Sequence, residues 1–202
     1  MAAVDDGAGT GAGTGTQAAG GAGQAPSGPH GLHTVELVGP HLRATGHMAL
    51  GRFPRLADLV NHNRGFIVLH DARLLDVGGR PLGLDLPELV VNQDEITFIG
   101  HAGEEGGAAG GRVQGGGGTR RYVVFAPGHT LTGTIHLFRE ISLANFVEAT
   151  DPRFLDVADA AARPRRAPGA VIRYGWLLVN RTHITAIAEL PEGATDPAEP
   201  GA

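Results

Sequence analysis

Two aspartates with matching sequence neighbours are the carboxylates best placed to do chemistry. Asp71 and Asp159 are 88 positions apart, each is followed by Ala, and each lies near the end of an apolar segment. If the fold brings them together, they could bind a metal ion or act as an acid–base pair. Alternatively, each carboxylate caps a turn or accepts hydrogen bonds from backbone N–H groups. We favour this structural role, because residues that recur in two parts of a chain usually mark what the fold requires.

Arginines form a second group of candidates. Arg52 and Arg139 are 87 positions apart, and each could clamp a carboxylate or phosphate with its planar guanidinium, or could be an exposed or ion-paired side chain. Four further arginines make the later part of the chain locally basic. They could bind a small anionic ligand, a nucleotide or an acidic partner, or they could be solvated loop residues. These four are Arg163, Arg165, Arg166 and Arg173.

Most other catalytic chemistry is excluded by residue type or spacing. The 202 residues include no Cys and no Lys, which rules out thiol nucleophiles, Cys-based metal sites and Schiff-base lysines. No G-x-S-x-G elbow occurs, and the ten His residues match no zinc-ligand spacing, although His70 beside Asp71 could join a site assembled in space. We therefore predict no catalytic residue, no metal and no cofactor. The net charge of −5 argues against nucleic acid as a partner.

An internal repeat supplies the elements that would position these residues. From Gly46 to Val60 the chain matches itself 87 positions later, and from Phe66 to Ile99 it matches itself 88 positions later. Fifteen identities align in order with one single-residue gap. We interpret this as a tandem repeat.

The pattern within each copy is typical of β-structure. Apolar and polar residues alternate over 42–50 and 130–137, with Gly46 and Gly133 on the apolar faces, where a glycine suits a sharp bend or a close backbone approach. A short amphipathic helix follows, then a strand, and then two strands joined by a turn that Asn92 or Asn180 opens. We predict a mainly β fold (β-rich α+β) of two small curved-sheet or barrel modules. Each has about five strands and one short helix, and the two pack as an intrachain pseudo-dimer about a pseudo-two-fold axis.

Glycine-rich segments set the predicted domain boundaries. Nine of the 33 Gly lie in residues 1–30 and nine in 103–118, and such segments bury too little apolar surface to order themselves. The predicted organisation is a disordered arm, copy 1, a linker, copy 2 and a disordered tail. Their respective ranges are 1–31, 32–101, 102–119, 120–190 and 191–202.

The repeated motifs suggest a family. They are the strand glycine, the helix sequence R-L-x-D-L-Φ-N over 55–61 (Φ is apolar), a strand ending in Asp-Ala and a closing V-N-x-x-x-I pair. This pattern resembles a bacterial domain of unknown function that occurs singly or in tandem. Copy 2 departs from the helix motif at Ser142, Asn145 and Glu148. The resemblance supports the interpretation as tandem modules, and it implies no enzymatic activity that can be carried over to this chain.

The first expectation for function is a non-enzymatic interaction or regulatory module with a protein partner. The second is a sensor that binds a small anionic ligand or nucleotide between the copies or at the arginines of copy 2. An acidic, apolar-poor N-terminus predicts no secretory signal, and no apolar run approaches the roughly 18 residues that span a bilayer. We therefore expect no membrane association and a cytoplasmic location.

Overall fold

The computed structural model describes residues 31–63, 65–76, 78–101, 118–137, 142–148, 151–167 and 169–191. The predicted arm (apart from residue 31), most of the predicted linker, most of the predicted tail and Arg139 lie outside the described residues.

The described chain consists of ten strands, two α-helices and two 3₁₀ turns. In the first half, β1 (Leu32–Val38) and β2 (Arg43–Ala49) precede helix α1 (Leu56–His62), and the remaining elements are β3 (Phe66–Leu75), β4 (Pro81–Asn92), a 3₁₀ turn (Gln93–Glu95) and β5 (Phe98–His101). In the second half, β6 (Gly118–Ala126) and β7 (His129–Leu137) precede helix α2 (Leu143–Glu148), and the remaining elements are β8 (Phe154–Pro164), β9 (Ile172–Asn180), a 3₁₀ turn (Arg181–His183) and β10 (Ala186–Glu189). Strand β6 begins two residues before the predicted start of copy 2. The prediction of a mainly β fold is confirmed.

All ten strands form one antiparallel sheet. Their order is β10-β6-β7-β8-β9-β5-β1-β2-β3-β4, so the sheet is open and its edge strands are β10 and β4. Each half contributes five neighbouring strands in corresponding order. The halves meet where β5 pairs with β9.

The two halves have equivalent internal hydrogen bonds as well as the same order of elements. The side chains of Asn92 and Asn180 each accept a bond from the backbone N–H two residues later, at 3.0 and 3.1 Å. Thr97 N–H donates to Val38 at 2.8 Å, and Thr185 N–H donates to Phe125 at 2.8 Å. Asn therefore opens both turns, as its capacity for local backbone bonding predicts.

Gly46 and Gly133 lie where the neighbouring strand bulges. The pairing of β2 with β3 shifts between Thr45 and His47, and that of β7 with β8 shifts at the corresponding point. A Cβ on Gly46 would lie 2.9 Å from the His70 carbonyl oxygen, and one on Gly133 would lie 2.9 Å from that of Ala158. Glycine at both positions thus permits the close backbone approach that the sequence predicts.

The junction between the halves is head-to-tail. A two-fold axis would pair equivalent strands, whereas β5 and β9 occupy non-equivalent places in their halves. The expected pseudo-two-fold arrangement is therefore wrong for this junction, because each half presents two chemically different edges. The cores interlock across it: Phe154, Trp176 and Leu178 join the first core, while Val38 and Phe98 join the second.

Candidate functional site

The recurring aspartates are separate surface residues. Asp71 and Asp159 are both exposed, and strands β9, β5, β1 and β2 lie between their strands in the sheet. Both have positive backbone φ, 48° and 47°, at the two bulges. Because Asp tolerates this left-handed conformation better than most residues, the recurrence has a backbone explanation. The structure does not bring the two carboxylates together as an acid–base pair or a shared metal site.

The first-half arginine has its own local contacts. Arg52 is exposed, hydrogen-bonds through Nη2 to His62 Nε2 at 3.3 Å, and lies 5.3 Å from the centre of the Phe53 ring. These contacts match the predicted alternative of an exposed side chain near a strand end. The proposed counterpart, Arg139, is outside the described residues.

The four arginines of the second half gather near the end of β8. Arg173 projects from β9 opposite Ala161, two residues from Arg163, so both side chains belong to one face of the sheet. Arg163 is half-buried, and within the described residues its Nε and Nη2 have no hydrogen-bond partner. Arg165 and Arg166 are exposed in the following turn.

A pocket of about 460 Å³ opens beside this turn. It lies between the β1–β2 hairpin of the first half and the β6–β7 hairpin of the second. Of the four arginines near the end of β8, Arg166 lines this pocket. The lining residues are Gly39, Pro40, His41, Pro127, Gly128, His129, Pro164 and Arg166.

The lining chemistry favours a small anion. Arg166 supplies a permanent positive charge, and none of the described residues that line the pocket is a carboxylate. Burial lowers the pKa of His129, whose ring packs edge-on against Phe98 at 5.2 Å. His129 is therefore a neutral hydrogen-bonding group at neutral pH. The sequence did carry a signal for this pocket, because Pro40 and Pro127 obey the 87-residue offset.

A buried polar cluster joins the halves beneath this region. Tyr174 of β9 donates to Glu36 Oε2 at 2.7 Å, and Arg43 Nε donates to Glu36 Oε1. Burial, reinforced by the carboxylate, raises the pKa of the Tyr174 hydroxyl. The cluster satisfies a buried carboxylate with both donors. Sequence reasoning missed it, since neither Glu36 nor Arg43 lies in the identities of the repeat.

Most of the large apolar side chains that are exposed among the described residues lie on β3 and β4. Phe66 is 60% exposed and Val90 54% exposed, and Val68 lies directly opposite Val90, so these three side chains share one face of the sheet. We call the exposed apolar residues of these two strands the β3–β4 surface. They are Phe66, Val68, Leu82, Leu84 and Val90. Sequence reasoning missed this surface, because the match of Phe66 with Phe154 points to a core residue.

No family model matches the chain, and neither a curated protein nor a solved structure matches it. Among the described residues, no cluster of three or more His, Asp or Glu side chains could hold a metal ion. No helix in the described part of the chain is both long and apolar enough to cross a membrane.

Proposed function

We propose that this chain is a non-enzymatic interaction module of the cytoplasm, built from two copies of one domain, and that its protein-binding site is the β3–β4 surface. The observation that carries this proposal is the concentration of exposed apolar side chains. Of the six large apolar residues exposed in the described structure, five lie on β3 and β4. Exposed apolar side chains beside an unpaired strand edge, such as Phe66, Val68 and Val90 on one face here, are typical of protein-binding surfaces.

Affinity capture with purified bait tests this function. The full chain and its Phe66→Ser variant are immobilised, and proteins retained from lysate of the source cells are quantified by mass spectrometry. We expect a protein retained in near-stoichiometric amount by the native chain and depleted at least tenfold by the variant. Equal retention by both baits would contradict the proposed site. Turnover in a hydrolase panel that Asp71→Asn abolishes would contradict the non-enzymatic assignment.

The pocket supports a second function, binding of a small anion such as a phosphate group or a nucleotide. Arg166 is the charged group in its lining, and the two proline-containing hairpins close it from both halves. Thermal unfolding with and without inorganic phosphate or ATP measures the binding, with Arg166→Gln as the test variant. Arg165→Gln is the matched control, because Arg165 is an exposed neighbour outside the lining. A stabilisation that persists in Arg166→Gln would contradict this site.

A further inference from the structure

The β5–β9 junction shows how one half binds the other. Phe98, Ile99 and Gly100 of β5 pair with Val179, Leu178 and Leu177 of β9, respectively. All six residues are buried. Asn180 fixes the register: its backbone N–H donates to Thr97 at 2.9 Å, and its side chain donates to the carbonyls of Gln93 and Ile96 at 3.0 and 2.9 Å.

Each edge of the open sheet corresponds to one side of this junction. Strand β10 occupies the place of β5 in its half, and β4 occupies the place of β9. With the offset of 88, Val90 corresponds to Leu178 and Ile187 corresponds to Ile99. Leu178 and Ile99 are 0% exposed, whereas Val90 is 54% exposed and Ile187 is half-buried. The exposure at both edges thus falls on residues whose counterparts are buried in the junction.

The helices repeat this relation. Helix α1 packs against the start of β8. There the Asn61 side chain accepts a bond from the N–H of Phe154 at 2.7 Å and donates one to its carbonyl at 3.1 Å. Phe154 is 1% exposed, but its counterpart Phe66 is 60% exposed. Helix α2, the counterpart of α1, has no buried residue. Within the described structure, the strand face that would complete a second junction is therefore exposed, and Leu143 and Phe146 of α2 are only partly buried, against the second core.

Some residue pairs that meet at the β5–β9 junction differ in type from their counterparts at the sheet edges, and in each such pair both members differ in a compatible way. Inside the chain, Tyr174 donates to buried Glu36. The residues corresponding to this pair are Leu86 and Val123, which would meet as two apolar side chains. A mismatched junction would instead bury a Glu36 carboxylate against Leu86, at the cost of an unsatisfied acceptor.

The helix contacts show the same matching. Burial raises the pKa of the Asp156 carboxyl on β8, and the positive charge of Arg55, which immediately precedes α1, partly opposes that rise. The corresponding residues are Val68 on β3 and Ser142, which immediately precedes α2, an apolar residue facing a neutral one. Packing also fits, because Gly100 leaves room for the Tyr174 ring and its counterpart Ala188 would face the smaller Leu86.

We propose that this chain assembles head-to-tail with further copies of itself, β10 of one chain pairing with β4 of the next in the register Ala186–Val91, Ile187–Val90 and Ala188–Leu89. Helix α2 then covers Phe66 and Val68 of the neighbouring chain, as α1 covers Phe154. The inference rests on the proposed interaction function and names its partner as a second copy. A heterologous contact of this kind closes into a ring or extends as a filament.

Two features of the proposed junction oppose assembly. Glu148 takes the place of Asn61, so the donor to the Phe154 carbonyl has no counterpart for Phe66, and two carboxylates replace a pair of aromatic rings. His101 and Trp176 pack against each other across the internal junction with ring centres 5.5 Å apart, and their counterparts are Glu189 and Glu88. Glu189 has a cationic neighbour within its own half, since it bonds Arg120 at 2.9 Å. This exposed pair offsets part of the repulsion, and the proposal requires the apolar contacts of the junction to outweigh the rest.

Solution mass measured by light scattering tests the assembly. The native chain is expected at a multiple of 20.8 kDa. Val90→Arg and Ile187→Glu alone are each expected at the mass of one chain, because each places a charge against an apolar partner. Their equimolar mixture is expected to assemble, since the introduced arginine of one variant would then meet the introduced glutamate of the other. Leu32→Arg is the control: Leu32 is 59% exposed on β1, outside both the β3–β4 surface and the proposed register, so the mass of this variant should equal that of the native chain.

Cross-linking fixes the register independently. Since the chain has no Cys, the double variant Leu89→Cys, Ala188→Cys should form a ladder of disulfide-linked chains on oxidation, and Leu82→Cys with Ala188→Cys should not. A native chain that stays monomeric, together with a Leu89→Cys, Ala188→Cys variant that yields no ladder, would overturn the assembly. If the native chain then still captured another protein through Phe66, the interaction function would stand and only the self-assembly would fall.

Discussion

At the scale of single residues, Asp71 and Asp159 adopt a backbone conformation that most side chains avoid. Their φ values of 48° and 47° lie in the left-handed region, which glycine adopts freely and β-branched residues resist. We expect Asp71→Gly to change the free energy of unfolding by less than about 1 kcal/mol and Asp71→Val to lower it by about 1–3 kcal/mol. Urea unfolding measures both. Equal losses in the two variants would mean that the carboxylate matters more than the backbone.

Gly133, on the strand paired with β8 at the Asp159 bulge, is constrained by the space around it and not by its φ angle. A Cβ on Gly133 would lie 2.5 Å from Val157 Cγ1 as well as 2.9 Å from a backbone oxygen. We expect Gly133→Ala to lower the free energy of unfolding by about 1–3 kcal/mol, as overpacking does. Gly175 on β9 is the matched control, since a Cβ there meets nothing within 4 Å. A loss in Gly175→Ala as large as that in Gly133→Ala would show that steric crowding is not the cause.

His129 makes stability depend on pH. Its pKa is lowered from the ordinary 6.5, chiefly by burial, so the unfolded chain binds this proton more readily than the folded chain. The contribution of neutral His129 is therefore lost as pH falls below about 6.5. We expect His129→Gln to reduce the loss of unfolding free energy between about pH 7.5 and pH 5.5. An unchanged pH profile in the variant would contradict this assignment.

At the scale of elements, helix α1 is hydrogen-bonded to the second half through an amide side chain, in addition to its apolar contacts in the first core. Asn61 donates to and accepts from the backbone of Phe154. We expect Asn61→Ala to lower the free energy of unfolding by about 1–3 kcal/mol, because the Phe154 N–H loses its acceptor. Asn61→Asp retains the acceptor and should lose less. Unfolding curves in urea distinguish the two, and equal losses would show that the bond to the N–H is not the stabilising contact.

The order of elements was predictable because its signals are local. Alternating residues around Gly46, the helical spacing after it and Asn92 before its turn each depend on neighbours in sequence. The partner of β5 was not predictable in this way. Its pairing with β9 depends on which edge of each half is complementary to the other, and identities such as Phe66 with Phe154 conceal that one copy is exposed while the other is buried. The same holds for the pocket, which exists only after two distant hairpins meet.

At the scale of the whole molecule, the two halves are mutually dependent because their cores interlock. Leu178 of the second half lies in the first core, and Phe98 of the first half lies in the second. Neither cluster would be complete if the halves separated, since each would expose apolar surface that is now buried. The covalent connection through residues 102–117 is then not what holds the halves together.

A chain cut within residues 102–117 should therefore remain one particle. A protease site inserted there is cleaved after folding, and gel filtration is expected to show both fragments co-eluting, with a single urea transition. The control is the same cleaved chain with Asn180→Ala, which removes two of the side-chain bonds across the junction and should unfold at lower urea. Fragments that separate and each keep a cooperative transition would contradict the interdependence. They would also remove the basis for a second junction between β10 and β4, because that junction relies on the same complementarity.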